Sequence, residues 1–522
     1  MYRPMTAARA AATATAALLP LPSAALTPAE AWAAWQATAG GGVTLTAASE
    51  TDSGGDLLVE GVEIVFAGPE DGEFEQDVRV TIDSIRFADL GGGRVGITLP
   101  DSFPIVAAST PAPEDGETPE TFSVTFDIGQ QGLDLVASGT PDAIGYDYDA
   151  DALTATLSDM QDTSDDEVEL TLDMSMTDVD GAWGADDGQG TFTAARLTID
   201  AGGSGIPTEA DDEGDGGGDT AGTGEGGSFT LTARTDNIQS VTTGGLGLFS
   251  GSDAIVAMLQ SDETASSSLS YGPIEYTLAF DDPASGDTSI TGGSDRATVS
   301  ARFGEGSIAY EGRTDGGRFA VAGSAIPFPE LTMASETSSW SAEMPLAPSD
   351  TAQPFGLSMN LAGVTLGEGV WSMFDPAGQL PRDPASLTLA LSGEGRWDVD
   401  IFDPQAVETM ADGTPGEIES VSIDTIGLDL LGVVLDGSGA FTFGAAADGT
   451  PVPEGAIDLT LTGAEALIDT LVQMGMVPED QAMGARMMLG LFARPTDTPG
   501  TLESKIEFGA DGSISANGQR LR

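Results

Sequence analysis

Apolar and polar residues alternate along much of this chain of 522 residues. Residues 122–128 and 168–174 show the pattern clearly, with an apolar side chain at every second position. Such a period of two is typical of strands that turn one apolar face inward. The pattern predicts a mainly β protein with curved antiparallel sheets, a short N-terminal helix and a C-terminal helical pair followed by a β-hairpin.

One segment changes its phase. Val80 and Ile82 follow the alternation, but the next apolar residues are Ile85 and Phe87, one position out of step. A one-residue shift moves side chains to the opposite face unless the strand bulges or bends. The sequence therefore predicts a bulge or bend between Ile82 and Ile85.

Two pairs of segments suggest an internal repeat. Residues 80–87 resemble residues 421–428, including the phase shift, and residues 132–139 more weakly resemble residues 317–323. The similarity predicts that the chain contains two related halves. Chance resemblance between short strands is the alternative.

A helix is predicted soon after the N-terminus. Thr27 and Glu30 form a capping box, and Pro28 stands at the first helical position. Trp32 and Trp35 then lie on one stripe, which we expect to pack on a sheet. Another short helix is predicted near residues 252–260.

Two further helices are predicted near residues 464–474 and 478–494. Met483, Met487 and Leu491 recur at helical spacing on the second of them. We interpret this stripe as core, with the nearby glycines Gly484 and Gly490 allowing close approach to a sheet. The alternative is an exposed docking surface, since methionine adapts to varied partners.

Residues 1–25 have the organisation of a secretory signal peptide. Two arginines precede an apolar stretch that is too short to span a bilayer, and small residues follow it. We expect cleavage between Ala25 and Leu26 and export to the periplasm, with no transmembrane helix in the mature chain.

The rest of the chain is divided by a segment rich in glycine and acidic residues. Residues 201–227 have too few apolar side chains to offset the entropy of ordering, so they predict a disordered linker. It separates a β-rich half at 26–200 from a second half at 228–522.

The charge balance excludes several functions. The chain carries 84 acidic and 18 basic residues, for a net charge of -66. Such a chain lacks the cations that nucleic acid binding requires. It has no histidine and no cysteine, which removes zinc sites, disulfides and thiol or histidine catalysis. The acidity predicts either a surface adapted to salt or a calcium-binding surface. The sequence predicts no cofactor.

Several motifs carry a family resemblance. The chain resembles an uncharacterised family of exported Gram-negative proteins, domain of unknown function 2125, in residues 31–35, 371–376, 478–495, 502–508 and 516–521. The resemblance covers most of the chain and is strongest after Phe355. It implies a cell-envelope protein and provides no catalytic residues.

These observations lead to one functional expectation with two alternatives. We expect a non-enzymatic periplasmic protein, either a scaffold or a sheet that holds an apolar ligand such as lipid. The alternatives are a hydrolase that acts through carboxylates and a calcium-dependent adhesion module. A continuous apolar groove favours lipid, whereas converging buried carboxylates favour hydrolysis.

Overall fold

The structure is a computed structural model. It describes residues 25–37, 39, 42–67, 74–111, 122–162, 168–184, 188–206, 226–244, 264–283, 286–304, 306–324, 326, 328, 330–401, 415–445 and 451–522. The helix predicted near residues 252–260 lies outside these described residues.

The described strands form one antiparallel sheet, which confirms the predicted fold class. The first ten strands are β1 Val43–Ser53, β2 Asp56–Ala67, β3 Phe74–Gly91, β4 Arg94–Thr98, β5 Ser102–Pro111, β6 Phe122–Gln131, β7 Asp134–Thr140, β8 Ala143–Asp162, β9 Glu169–Trp183 and β10 Gly190–Ile206. The next eight are β11 Gly227–Thr243, β12 Ala265–Tyr271, β13 Ile274–Asp282, β14 Gly286–Ser294, β15 Arg296–Gly304, β16 Ser307–Gly323, β17 Leu331–Pro345 and β18 Gln353–Leu366. The last eight are β19 Ala385–Trp397, β20 Gly416–Leu430, β21 Val433–Ala445, β22 Pro451–Thr462, β23 Arg494–Pro495, β24 Thr501–Phe508, β25 Ile514–Ala516 and β26 Gln519–Arg520.

Four helices are described beside the sheet. They are α1 Pro28–Ala37, α2 Glu368–Phe374, α3 Ala464–Gln473 and α4 Glu479–Phe492. The predicted N-terminal helix and C-terminal pair are thus confirmed. So is the capping box, because the Glu30 carboxylate accepts hydrogen bonds from the Thr27 backbone N–H and hydroxyl.

Most strands pair with the strands next to them in sequence, but two stretches branch. β3 pairs with β5 along its first half and with β4 along its second half, and β8 pairs with β7 along its first half and with β6 along its second half. Likewise, β11 pairs with β13 along its first half and with β12 along its second half, and β16 pairs with β15 along its first half and with β14 along its second half. By this pairing pattern, β3 corresponds to β11. The sequence similarity instead matches β3 with β20, so the predicted repeat stays a prediction.

The two predicted halves join through paired strands. β10 extends to Ile206 and β11 begins at Gly227, and the two strands pair from Gly190 with Thr242 to Ile206 with Gly227. The predicted linker boundaries were therefore wrong, since residues 201–206 lie in a strand that also pairs with β9. Residues 207–225 of that linker lie outside the described residues.

The predicted phase shift is confirmed as a bend. Gly61 in β2 has a positive φ of 60°, and the register skips its pairing with Asp83 of β3. Val62 pairs with Ile82 on one side of the skip, and Val59 pairs with Ile85 on the other. All four apolar side chains are buried in one cluster, so the shift keeps them on the same face.

The best-packed core lies under α1. Trp32 and Trp35 contact Phe87, with ring centroids 5.9 and 5.5 Å apart. This confirms that the tryptophans pack on the sheet. Burial declines along the chain: no hydrophobic side chain of β18 to β22 is buried among the described residues. Over much of the sheet, no second layer is packed by the residues that the structure describes.

Candidate functional site

The strand register collects apolar side chains on one face of the sheet. Trp340 pairs with Met359, Met359 with Leu389, and Leu389 with Ile426. Residues that pair across neighbouring strands point to the same face. We call this face the apolar face; its paired residues include Met176, Leu197, Leu231, Leu278, Ile290, Val321, Leu331, Trp340, Leu357, Met359, Leu389, Ile426 and Leu428.

Charged residues avoid the apolar face. None of the paired residues that the register places there in β9 to β12 or β15 to β19 is charged, although the whole chain carries 84 acidic residues. The opposite face carries serine, threonine and the ion pairs, such as Arg196 with Asp236 at 2.7 Å and Arg302 with Glu311 at 2.7 Å. The sheet is therefore strongly two-sided.

Large apolar side chains on the apolar face are open to solvent. Leu357 is 47% exposed, Met333 46% and Trp340 45%. Single exposed apolar residues are common in soluble proteins, but contiguous apolar patches mark sites where something binds. An occupant that excludes water from this face would be stabilised by the hydrophobic effect.

Helices cover the two ends of the apolar face. At the first end, α1 packs over β2 and β3, and the Trp35 indole N–H donates a hydrogen bond of 3.1 Å to the Tyr146 hydroxyl. At the other end, α3 and α4 line a shallow, open groove of about 460 Å³ together with Val433 of β21. The carbonyl of Phe492 at the end of α4 accepts a hydrogen bond from Ser504 of β24. Among the described helices, only α2, beside β17, contacts the strands between these ends.

A cleft opens on the apolar face between β17 and β20. It has a volume of about 720 Å³, within the range of ligand pockets. Met344, Phe355, Leu357, Trp397 and Ile418 are among the residues that line it. Its shape and chemistry suit an apolar chain.

The methionine stripe of α4 is not core. Met483 is 65% exposed and Met487 72%, and Leu491 is also exposed. No atom of another element would meet a Cβ at Gly484 or Gly490, so these glycines do not allow close packing. Helical spacing predicts which residues share a face, but not whether anything covers that face. The core interpretation was wrong, and the docking-surface alternative stays a prediction.

The resemblance motif at residues 371–376 folds into a tight corner after β18. Both oxygens of the Asp375 carboxylate accept backbone hydrogen bonds, from Gln379 at 2.8 Å and from Leu380 at 2.9 Å. These bonds, the one from Gln379 above all, hold the pKa of Asp375 below its usual value. Arg382 lies 5.1 Å from the centre of the Trp371 ring and forms an ion pair with Glu368. These contacts give the residues of this motif a structural role in forming the corner.

The two alternative functions find no assembled site in the described part of the chain. No cluster of three or more carboxylates there is suited to a metal ion. Asp147, Asp149 and Asp151, which resemble the start of a calcium loop, lie instead along the extended strand β8. Asp375 is the one buried carboxylate among the described residues, and backbone N–H groups occupy it.

The predicted cleavage site lies at the edge of the first core. Leu26 is 2% exposed and packs with the cluster under α1, and its backbone N–H donates to the Gly139 carbonyl at 3.2 Å. Ala25 is exposed. Cleavage between them would leave Leu26 in its packed position, although the cleavage itself stays a prediction.

The comparisons with known proteins establish the family. The family model described as "Uncharacterized protein conserved in bacteria (DUF2125)" matches residues 252–521, and the chain belongs to this family. The matched range begins after α1, so the resemblance at residues 31–35 lies outside it. Among curated proteins, no match reaches significance.

One solved structure is similar by a weak measure. The alcaligin outer membrane receptor FauA from Bordetella pertussis shares 10% sequence identity, and the alignment covers 91% of this chain and 68% of the receptor chain. The TM-score is 0.17, too low to support an argument about fold or function. Among the described helices, none has the length and apolar character needed to cross a membrane.

Proposed function

We propose that the protein is a non-enzymatic periplasmic protein of the cell envelope whose apolar face binds the acyl chains of lipids. The observation that carries this proposal is an uncharged sheet face with large apolar side chains open to water. Acyl chains match such a face because they are apolar along their whole length and demand no hydrogen-bond partners. The binding energy would come from the apolar area that both partners remove from water.

The strand register supports the same occupant. Successive strands contribute apolar side chains at neighbouring positions, so the face continues from β17 to β20 without a charged residue. Flexible acyl chains can follow such a surface. A second copy of this protein is disfavoured as the occupant, since two chains of net charge -66 repel each other.

Lipid retention by the purified protein tests this proposal. Native mass spectrometry of the mature protein should detect bound lipid, and Trp340→Glu on the apolar face should greatly reduce it. Ser339→Glu is the matched control, because Ser339 pairs with Arg313 on the opposite face of the same strand. We expect this control to retain lipid as the wild type does.

Two results would contradict the proposal. A wild-type protein that carries no lipid and extracts none from vesicles would remove acyl chains as the ligand. A lipid-free dimer that Trp340→Glu converts to a monomer would show that the apolar face is an interface between two copies.

A further inference from the structure

Aromatic residues on the apolar face pair with glycines on the neighbouring strands, and this arrangement deepens the proposal of lipid binding, on which the inference rests. Trp340 of β17 pairs with Gly312 of β16, and Phe355 of β18 pairs with Gly393 of β19. A Cβ added to Gly312 would come within 3.0 Å of the Trp340 indole, and a Cβ on Gly393 would clash likewise with the Phe355 ring. Each ring therefore already occupies the space above its glycine.

The same contact recurs along the apolar face between β8 and β19. In each case the aromatic ring reaches across to the next strand and covers a glycine. Six such pairs lie in the described structure: Tyr148 with Gly181, Trp183 with Gly190, Phe229 with Gly203, Tyr276 with Gly292, Trp340 with Gly312 and Phe355 with Gly393. None of the six glycines has a positive φ, so their backbone would accept a side chain. What the contact requires is the missing Cβ.

Each ring rests on the sheet with one side and faces solvent with the other. Gly312 is buried, whereas Trp340 is exposed, and the other five aromatic residues are half-buried. A ring that stood upright would leave its glycine open, and a ring inside a packed core would itself be buried. The outer faces of the rings are therefore part of the surface that a lipid on the apolar face would contact.

Glycines on the opposite face of the sheet provide a comparison. A Cβ on Gly202 of β10 would lie nearest to the hydroxyl of Thr171, and a Cβ on Gly427 of β20 would lie 3.6 Å from the Cβ of Thr388. The second distance is an ordinary van der Waals contact. No ring requires glycine at these two positions, whereas the ring-covered glycines lie on the face that is proposed to bind lipid.

The covered glycines keep the apolar face level. Gly312 stands in a row of paired residues with Trp340, Met359, Leu389 and Ile426, one from each strand between β16 and β20. The indole fills the gap at Gly312, so the row has no hole there and no ridge at Trp340. Five strands about 4.8 Å apart span about 20 Å, enough for one acyl chain, since one leaflet of a bilayer core is about 15 Å deep. An acyl chain can thus lie across the strands along this row.

We propose that acyl chains lie against these ring faces, and that the six glycines are positioning residues that hold the rings flat. The face of an aromatic ring carries partial negative charge and attracts the weakly positive hydrogens of an alkyl chain. A flat ring also offers more apolar contact area than a ring that presents its edge. A side chain at any of these glycines would raise the ring and place a ridge across the path of the chain.

The test compares the uptake of phosphatidylcholine from vesicles by glycine variants of the mature protein. Gly312→Ala should lower uptake severalfold because the new Cβ lifts the Trp340 indole, and Gly292→Ala repeats the test beside Tyr276. Gly427→Ala is the matched control, since it adds the same Cβ on the opposite face, and its uptake should equal that of the wild type. A Gly312→Ala protein with a lower melting temperature but wild-type uptake would overturn the proposal, because the ring would then only stabilise the sheet.

A double variant shows whether Gly312 acts through the ring. Trp340→Leu removes the indole, so adding Gly312→Ala to it should lower uptake no further. The same loss from Gly312→Ala with and without the indole would overturn the role of the ring–glycine contact but leave lipid binding standing. Absence of uptake by the wild type would overturn the proposed function itself.

Discussion

At the scale of single residues, burial distinguishes side chains that stabilise the fold from exposed apolar side chains that are available to bind a ligand. Phe87 is fully buried between Trp32 and Trp35, whereas Phe319, also on the apolar face, is 38% exposed. The two residues have the same side chain and the same strand geometry. They differ in that α1 covers the first and no described element covers the second.

This difference predicts unequal costs for one substitution. Phe87→Ala leaves a cavity under α1 and should lower the free energy of unfolding by about 3–5 kcal/mol. Phe319→Ala should lower it by less than about 1 kcal/mol, as for other exposed positions. Chemical denaturation of the lipid-free protein measures both values. Equal losses would show that something in the protein covers Phe319 as well.

Asp375 gives a prediction about acid. Its pKa is lowered in the folded state, so it contributes stability above the pKa of the unfolded chain, about 3.9, and loses it as pH falls through the folded value. Asp375→Asn should destabilise the protein at pH 7, and the gap to wild type should close below about pH 4. Thermal melts across this range test the expectation. A gap that stays constant with pH would contradict it.

At the scale of elements, α4 shows that one helix can have a structural side and an open side. Ala482 is 1% exposed, whereas Met487 is 72% exposed. Met487→Asp should therefore change stability by less than about 1 kcal/mol. Ala482→Asp should cost more than about 2 kcal/mol because it buries a carboxylate. A large loss of stability in Met487→Asp would restore the core interpretation of the methionine stripe.

The corrected boundaries of β10 and β11 predict two different deletions. Removing residues 208–224 shortens the connection between paired strands, and loop length has a small effect on stability, so the melting temperature should change by only a few degrees. Removing residues 201–227 also deletes the paired ends Ala201 to Ile206 and should destabilise the sheet clearly. Similar melting temperatures for both deletions would mean that these strand ends contribute nothing.

At the scale of the whole molecule, the sequence predicted the side-chain pattern better than the assembly. Alternation identified the strands, and the phase change between Ile82 and Ile85 identified the bend, because both depend on neighbours in sequence. The continuity of the sheet through β10 and β11 depends on pairing across a long insertion, which local patterns do not encode. The exposure of Met487 likewise depends on what lies above α4.

The apolar face was the functional feature hardest to recognise from sequence. Residues such as Trp340, Leu357 and Met359 look like ordinary core positions, since an alternating strand in a two-layer protein has the same pattern. Their exposure becomes visible in the structure, where no described strand packs over them as a second layer. The helpful signal was indirect: a chain with 84 acidic residues keeps them off one face of these strands.

The central claim is that lipid acyl chains lie on the apolar face, and photo-crosslinking tests it most directly. A phospholipid with a diazirine near the end of its acyl chain would be bound to the mature protein and activated by light. Mass spectrometry should then locate label on Met333, Trp340 and Met359. Labelling of Ser339 and Ser358 on the opposite face, or of the α4 methionines alone, would contradict the account.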